Sequence, residues 1–244
     1  MKSIELFSGC GGLAKGLENA GFEHCAFVEF NKWACDSLRM NFNPDLVHEI
    51  DVRAFDFSRI SSVDLVAGGP PCQPFSLGGL ARAHNDCRDM FPQAVRAIRE
   101  LQPKAFIFEN VKGLLRKSFS TYFNYIISRL SFPGFLQKDG ETWQSHAERL
   151  QALFYPEVSG LKYRVQVKLL NAADYGVPQI RERVFIVGLR SDVLNEWIWP
   201  SPTVKPSKRM TVGDIVKKLP NPTDNHHLHD HVFIDGARIY PGHT

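Results

Sequence analysis

Ile4-Glu5-Leu6-Phe7-Ser8-Gly9-Cys10-Gly11-Gly12 opens the chain with a strand-sized apolar run and a glycine-rich turn. Ile4 to Phe7 reads as a strand, and an amphipathic stretch over about Leu13 to Ala20 reads as a helix that Gly21 is placed to end. A strand, a tight turn and a helix in direct succession form half of a βαβ unit. The glycines let the backbone turn sharply and approach a ligand closely.

The same alternation continues outward. Cys25 to Val28, Val47 to Ile50, Asp64 to Ala67 and Ala105 to Phe108 read as further strands. Helical periods run through Trp33 and Leu38, over Met90 to Leu101 and over about Phe119 to Leu130. The Ala105 run is mostly apolar, as a strand covered on both faces should be. Strands alternating with helices imply right-handed crossovers and a mostly parallel α/β sheet with helices on both faces. Ligands of such sheets bind beyond the carboxyl ends of the strands, so the polar residues there are the candidates for function.

Later segments are less regular. Residues 131–160 show no clean period and read as an irregular insertion. Tyr163 to Leu169 and Val184 to Leu189 read as two late strands. After Arg190, prolines punctuate the chain, Thr211 to Leu219 reads as one short helix, and the end reads as a linker or an unfinished domain. The expected division is a catalytic domain over 1–190 and a second region over 191–244.

Composition excludes little. The net charge is +3, a weak basic tilt. Between Lys162 and Lys218, however, eleven basic residues face only five acidic ones, which fits a phosphate-facing surface. No apolar run approaches the roughly 20 residues that span a bilayer. Nor does the N-terminus read as a signal peptide. Cys10, Cys25, Cys35, Cys72 and Cys87 are odd in number and lack a CxxC pair, which favours free thiols in a reducing cytosol. The run His226-His227-Leu228-His229-Asp230-His231 reads as a polar loop, and no metal site is expected.

Two carboxylates and one cysteine carry the chemistry. Glu29 follows the second strand, where an acid suits the paired hydroxyls of a ribose, and Asp51 follows the third, where it can accept from an adenine amine. The turn alone does not choose the cofactor, because Gly9-x-Gly11-x-x-Ala14 also satisfies a loose NAD fingerprint. Gly68-Gly69-Pro70-Pro71-Cys72-Gln73-Pro74 follows the fourth strand. Its prolines stiffen the approach to Cys72, as a positioned nucleophile requires. Glu109-Asn110-Val111 ends the fifth strand, and an acid there can protonate a ring nitrogen while a thiolate attacks.

Taken together, these residues resemble the DNA (cytosine-5) methyltransferase family. Glu5 to Gly12 resembles its cofactor loop, Pro71-Cys72-Gln73 its nucleophile motif, Glu109-Asn110-Val111 its acid motif and Gln179-Ile180-Arg181-Glu182-Arg183 its QxRxR motif. Thr211-Val212-Gly213-Asp214 and Leu219-Pro220 resemble the entry to its target-recognition region. The resemblance implies a Rossmann-like fold of the S-adenosylmethionine-dependent methyltransferases. It implies cofactor contacts at Phe7, Ser8, Gly9, Cys10, Gly11, Gly12, Leu13, Glu29, Phe30, Asp51, Val52 and Pro70. Cys72 would attack C6 of a flipped cytosine in double-stranded DNA, and Glu109 would hold N3 and the exocyclic amine. Arg183 would support the base and Glu109, and Arg181 would lie near a backbone phosphate. S-adenosyl-L-homocysteine would be the product.

Two departures from the family pattern stand out. Asp86-Cys87-Arg88-Asp89-Met90-Phe91 is a variant of the motif that leads into a helix. The final cofactor-pocket motif and most of the target-recognition domain are absent, which implies a split or truncated enzyme served by a second chain. The implied setting is bacterial restriction–modification, cytoplasmic or nucleoid-associated. An NAD-dependent oxidoreductase and a tRNA cytosine-5 methyltransferase are the rival readings, and a non-catalytic regulatory subunit is a third, against which intact Cys72, Glu109 and Arg183 argue.

Overall fold

The computed structural model describes residues 1–71, 89–153, 160–193, 196–224 and 227–228. Strands β1 (Lys2–Leu6), β2 (Glu23–Glu29), β3 (Val47–Glu49), β4 (Leu65–Gly68), β5 (Ala105–Val111), β6 (Tyr163–Asn171) and β7 (Glu182–Arg190) join in one sheet, ordered β3-β2-β1-β4-β5-β7-β6. The pairs β1–β2, β1–β4, β2–β3 and β4–β5 are parallel, and β7 runs antiparallel to β5.

Helices α1 (Gly12–Asn19), α2 (Lys32–Asn41), α3 (Phe91–Leu101) and α4 (Ser120–Ser131) cover this sheet. Successive side chains along a strand point to opposite faces, and the core divides accordingly. Ile4, Leu6, Val28, Val66, Phe106 and Phe108 enter a core shared with Val95 and Ile98 of α3 and Ile126 of α4. On the other face, Phe27 packs with Ala14 of α1 and Leu38 of α2, while Leu65 and Ala67 pack with Leu17 of α1. The Rossmann-like α/β fold is thus observed, with helices on both faces of a mostly parallel sheet.

The sheet order locates the ligand crevice. From β1 the chain steps one way to β2 and β3, then crosses back to β4 and β5 on the other side. Connections leave β1 and β4 in opposite directions, and the crevice between their carboxyl ends is where such folds bind ligands. The two strands approach closely there. A β-carbon at Gly68, the last residue of β4, would stand 2.1 Å from the carbonyl oxygen of Leu6.

One expectation needs correcting. Residues 131–160 are not wholly irregular, because α5 (Trp143–Ala152) lies within them. Its buried residues are His146 and Leu150. His146 is held by a hydrogen bond with Tyr125 (2.9 Å) and one with the Phe135 carbonyl (3.0 Å). A helix anchored through a histidine leaves a weak apolar period.

The chain divides into two compact units, Met1–Leu170 with Glu182–Pro200, and Asn171–Arg181 with Ser201–Thr244. Within the second, the Asp174 carboxylate pairs with Arg209, and its carbonyl accepts from the backbone of Thr203 and Val204. Thr211 and Asp214 form a reciprocal cap on the short helix α6 (Val212–Val216). Among the described residues no helix is long and apolar enough to cross a membrane.

Candidate active site

The first strand ends in a turn that glycine alone accommodates. Gly11 adopts a left-handed backbone (φ 83°) at the start of α1, where a β-carbon would stand 2.5 Å from the Phe42 ring. Phe7 takes a positive φ of 55°, uncommon for a bulky residue and a mark of a constrained site. Its backbone N–H donates to the Val28 carbonyl at 2.9 Å, tying the turn to β2.

Glu29, the last residue of β2, is buried and holds the turn. Its Oε2 accepts from the Gly9 N–H (2.9 Å), and its Oε1 accepts from the N–H groups of Phe30 (2.9 Å) and Asn31 (2.8 Å). Each carboxylate oxygen has two acceptor sites. Oε1 is therefore filled, and Oε2 keeps one site for a ligand hydroxyl.

A cavity of about 390 Å³ opens beside this turn. Phe7, Glu29, Phe30, Asp51 and Val52, all named as cofactor contacts by the resemblance, line it together with Val28, Ile50, Arg53, Pro71 and Met90. Such a volume falls in the usual range for small-ligand sites. The Phe30 ring is 69% exposed and offers a bare aromatic face. The lining set suits a nucleoside, with aromatic and aliphatic walls for a purine and acids for hydroxyl and amine donors.

Other expected contacts turn their side chains elsewhere. Ser8 is buried, and its hydroxyl donates to the Glu5 carbonyl at 2.8 Å. Leu13 packs beside Leu17, Leu65 and Ala67. Gly9, Gly11 and Gly12 can offer only backbone, and Cys10 is an exposed free thiol outside the lining set. Pro70 is buried, and its carbonyl accepts from the Asn110 side chain at 2.9 Å.

Asp51 is already engaged. Arg53 donates to it through its backbone N–H at 2.8 Å and grips its carboxylate with the guanidinium. That guanidinium holds the carboxyl below its ordinary range. An incoming amine must therefore displace Arg53 or share the acid with it.

The acid motif ends β5 beside β4. Glu109 pairs with Arg183 through Oε1 and Nε at 2.7 Å, and the two side chains are 29% and 24% exposed. The antiparallel β5–β7 register, with Val111 opposite Arg183, brings them together. On the β4 side, a β-carbon at Gly69 would stand 3.7 Å from Glu109 Oε2. The Gly69-Pro70-Pro71 turn thus meets the Glu109 carboxylate at one end and the cavity at the other. Cys72, the next residue, lies outside the described residues. Arg181 is exposed in the second compact unit, where its N–H donates to Asn171 Oδ1 at 3.2 Å. Among the described residues no cluster of three potential metal ligands occurs, and most of the His226–His231 run lies outside them.

Sequence reading missed Val28, Ile50, Arg53, Pro71 and Met90. A signal for Arg53 was present, since Asp51-x-Arg53 spans one short 3-10 turn with Asp51 as its cap. Met90 reaches the site because its N–H donates to the Pro71 carbonyl at 3.2 Å, a link between distant positions that no local pattern encodes.

Comparison with known proteins bears on the family. A family profile described as C-5 cytosine-specific DNA methylase matches residues 1–139 and 144–241. Type II methyltransferase M.NgoMIV of Neisseria gonorrhoeae is 40% identical over 89% of this chain and 60% of its own length. Type II methyltransferase M.AquIA of Picosynechococcus is 36% identical over 91% of this chain and 84% of its own length. The crystal structure of a prophage-encoded E. coli protein, described as a DNA modification methyltransferase, is 28% identical with a TM-score of 0.65. It matches 91% of this chain and 56% of that one. The chain thus spans little more than half the length of two of these three relatives.

Proposed function

The chain belongs to the C-5 cytosine-specific DNA methylase family, and from that membership we propose that it methylates C5 of cytosine in double-stranded DNA with S-adenosylmethionine. S-adenosylmethionine, when bound, supplies the methyl group. Glu29 and Asp51 would hold its ribose and adenine amine, and Phe7, Phe30 and Val52 its purine. The observation that carries the reading is the placement of the Glu109–Arg183 pair against the turn whose Pro71 lines the nucleoside-sized cavity.

The chain's own residues then divide the work. C6 of cytosine is buried in a duplex, so the base must leave the stack, which costs a few kcal/mol. The Cys72 thiolate forms a bond to C6 while Glu109 holds a proton at N3, leaving C5 electron-rich. Arg183 fixes the Glu109 carboxyl and adds positive charge beside it. After C5 is methylated, a base removes the C5 proton, the S–C6 bond breaks, and Cys72 returns. An ordinary thiol of pKa near 8.5 must be partly ionised to attack, and a guanidinium group near it would favour that state.

We assign residues 1–190 to catalysis and 191–244 to the beginning of a target-recognition region. A second chain would complete that region and the cofactor pocket, with Arg181 near a phosphate, in a bacterial cytoplasmic restriction–modification setting. The test is transfer of a tritiated methyl group by the chain together with its partner chain. Label is expected in duplex DNA. Label in tRNA alone would support the RNA reading, and stabilisation by NAD but not S-adenosylmethionine would overturn both.

A further inference from the structure

We propose that Arg116 and Lys117 form a sequence-independent contact with the DNA phosphate backbone beside the reacting base, a role that rests on the DNA-methylating reading above. The chain leaves β5 at Val111 and enters two short 3-10 turns, Lys112–Leu115 and Lys117–Phe119. Leu114 is fully buried and pins the first turn to the core. The Arg116 N–H donates to Gly113 and the Phe119 N–H to Arg116, which fixes the backbone between the turns. Arg116 and Lys117 are both exposed on this platform.

Many surface cations of the chain are neutralised by a carboxylate, and among the described residues these two are not. Lys15, Lys32, Arg39, Arg59 and Lys104 each sit within 4 Å of a carboxylate. Lys112, at the start of the same loop, is paired with Glu182 at 2.8 Å. Among the described residues, no carboxylate pairs with Arg116 or Lys117. The sequence supplies none nearby, because no Asp or Glu occurs from Asn110 through Lys138, while Lys112, Arg116, Lys117, Arg129 and Lys138 do. Two unneutralised cations on a fixed loop leave their field available to a polyanion.

Position adds the second argument. β5 runs from Ala105 to Val111, so this loop emerges at the carboxyl end of the sheet, directly after Glu109. Seven residues reach at most about 25 Å, and the 3-10 turn shortens that span. Phosphates recur every few ångströms along a duplex, so a strand delivering a base to Glu109 carries several within this radius. Leu115, 41% exposed just before Arg116, offers an apolar surface to deoxyribose edges. Contacts of this kind set the register of a protein on DNA without reading its sequence.

The test is the salt dependence of duplex binding. The 244-residue chain is titrated with a short fluorescein-labelled duplex across a range of potassium chloride concentrations, and anisotropy gives the dissociation constant. R116Q/K117Q is expected to reduce the slope of log K against log salt by about 1.8, since each lost phosphate contact removes about 0.9. Affinity near 0.1 M salt should fall roughly tenfold or more, equally for different sequences. K104Q, at the opposite end of β5, should keep the original slope. A wild-type slope in R116Q/K117Q, measured with the proposed second chain present if the 244 residues alone do not bind, overturns the assignment. An unchanged melting temperature shows that the double variant is folded. Absence of label from DNA in the tritium assay above would strike the methyl-transfer reading instead, a separate readout.

Discussion

At the residue scale, the most unusual group is Glu5. It is 2% exposed in the middle of β1, between Phe27 of β2 and Ala67 of β4, and burial pushes its carboxyl up to about 8. Desolvation disfavours the charged form, and its Oε2 has no hydrogen-bond partner. The sign of the pH effect follows. Below about pH 4.5 the residue is protonated whether the chain is folded or not, and it costs nothing. Between 4.5 and 8 the unfolded chain ionises while the folded chain keeps its proton, so stability drains away as pH rises. Above 8 the loss is complete, on the order of a few kcal/mol. Glu5→Gln should therefore raise the melting temperature by an amount that grows from pH 5 to about pH 8 and then levels off. Calorimetry across that range checks it, and a pH-independent difference would refute the account. The glycine-rich motif made Glu5 visible in the sequence, but burial made it neutral, and burial is a property of the assembled sheet.

At the scale of elements, the turn that delivers Cys72 is braced from both sides. Asn110 at the end of β5 holds the Pro70 carbonyl, and the Met90 N–H holds that of Pro71. Asp89, just before α3, accepts from the Phe91 N–H at 3.1 Å and from the Tyr122 hydroxyl of α4. Burial and the Asp89 carboxylate keep that phenol protonated, with its ionisation pushed far above the usual range. Tyr122→Phe removes one partner of a buried carboxylate, which costs about 1–3 kcal/mol. For a chain of this size that means a fall in melting temperature of roughly 2–10 °C. Differential scanning calorimetry should find it, and an unchanged transition would show that the hydrogen bond carries no weight.

The elements also show where sequence reading stops. The parallel strands were legible because each is a short apolar run bounded by glycine, proline or a polar turn. Helix α5 was not, because polar His146 interrupts the inward face that Trp143, Ala147 and Leu150 form, and is held there by hydrogen bonds. Within the site, Glu29, Asp51 and Glu109 were legible because each stands at or just beyond the carboxyl end of a strand. Arg53 and Met90 were not, because short turns and long-range hydrogen bonds bring them in. The Arg183 pairing with Glu109 depends on the β5–β7 register, which no single segment contains.

At the scale of the whole molecule, one architectural choice does most of the work. The reversal of strand order between β1 and β4 opens a crevice at their carboxyl ends. The glycine-rich turn and its cavity lie along this rim, with the Glu109–Arg183 pair beside the turn that follows β4. The cavity and the Glu109–Arg183 pair therefore both border the turn that ends at Pro71. The central claim is that the next residue, Cys72, bonds covalently to a pyrimidine held by Glu109. The most direct measurement is mass spectrometry of the chain, with the proposed partner chain and S-adenosylmethionine, after incubation with duplex DNA carrying 5-fluorocytosine. Fluorine at C5 blocks the final proton removal, so the account predicts a stable adduct mapped to Cys72 and absent in Cys72→Ala. An adduct at another cysteine, or methyl transfer that persists in Cys72→Ala, would contradict it.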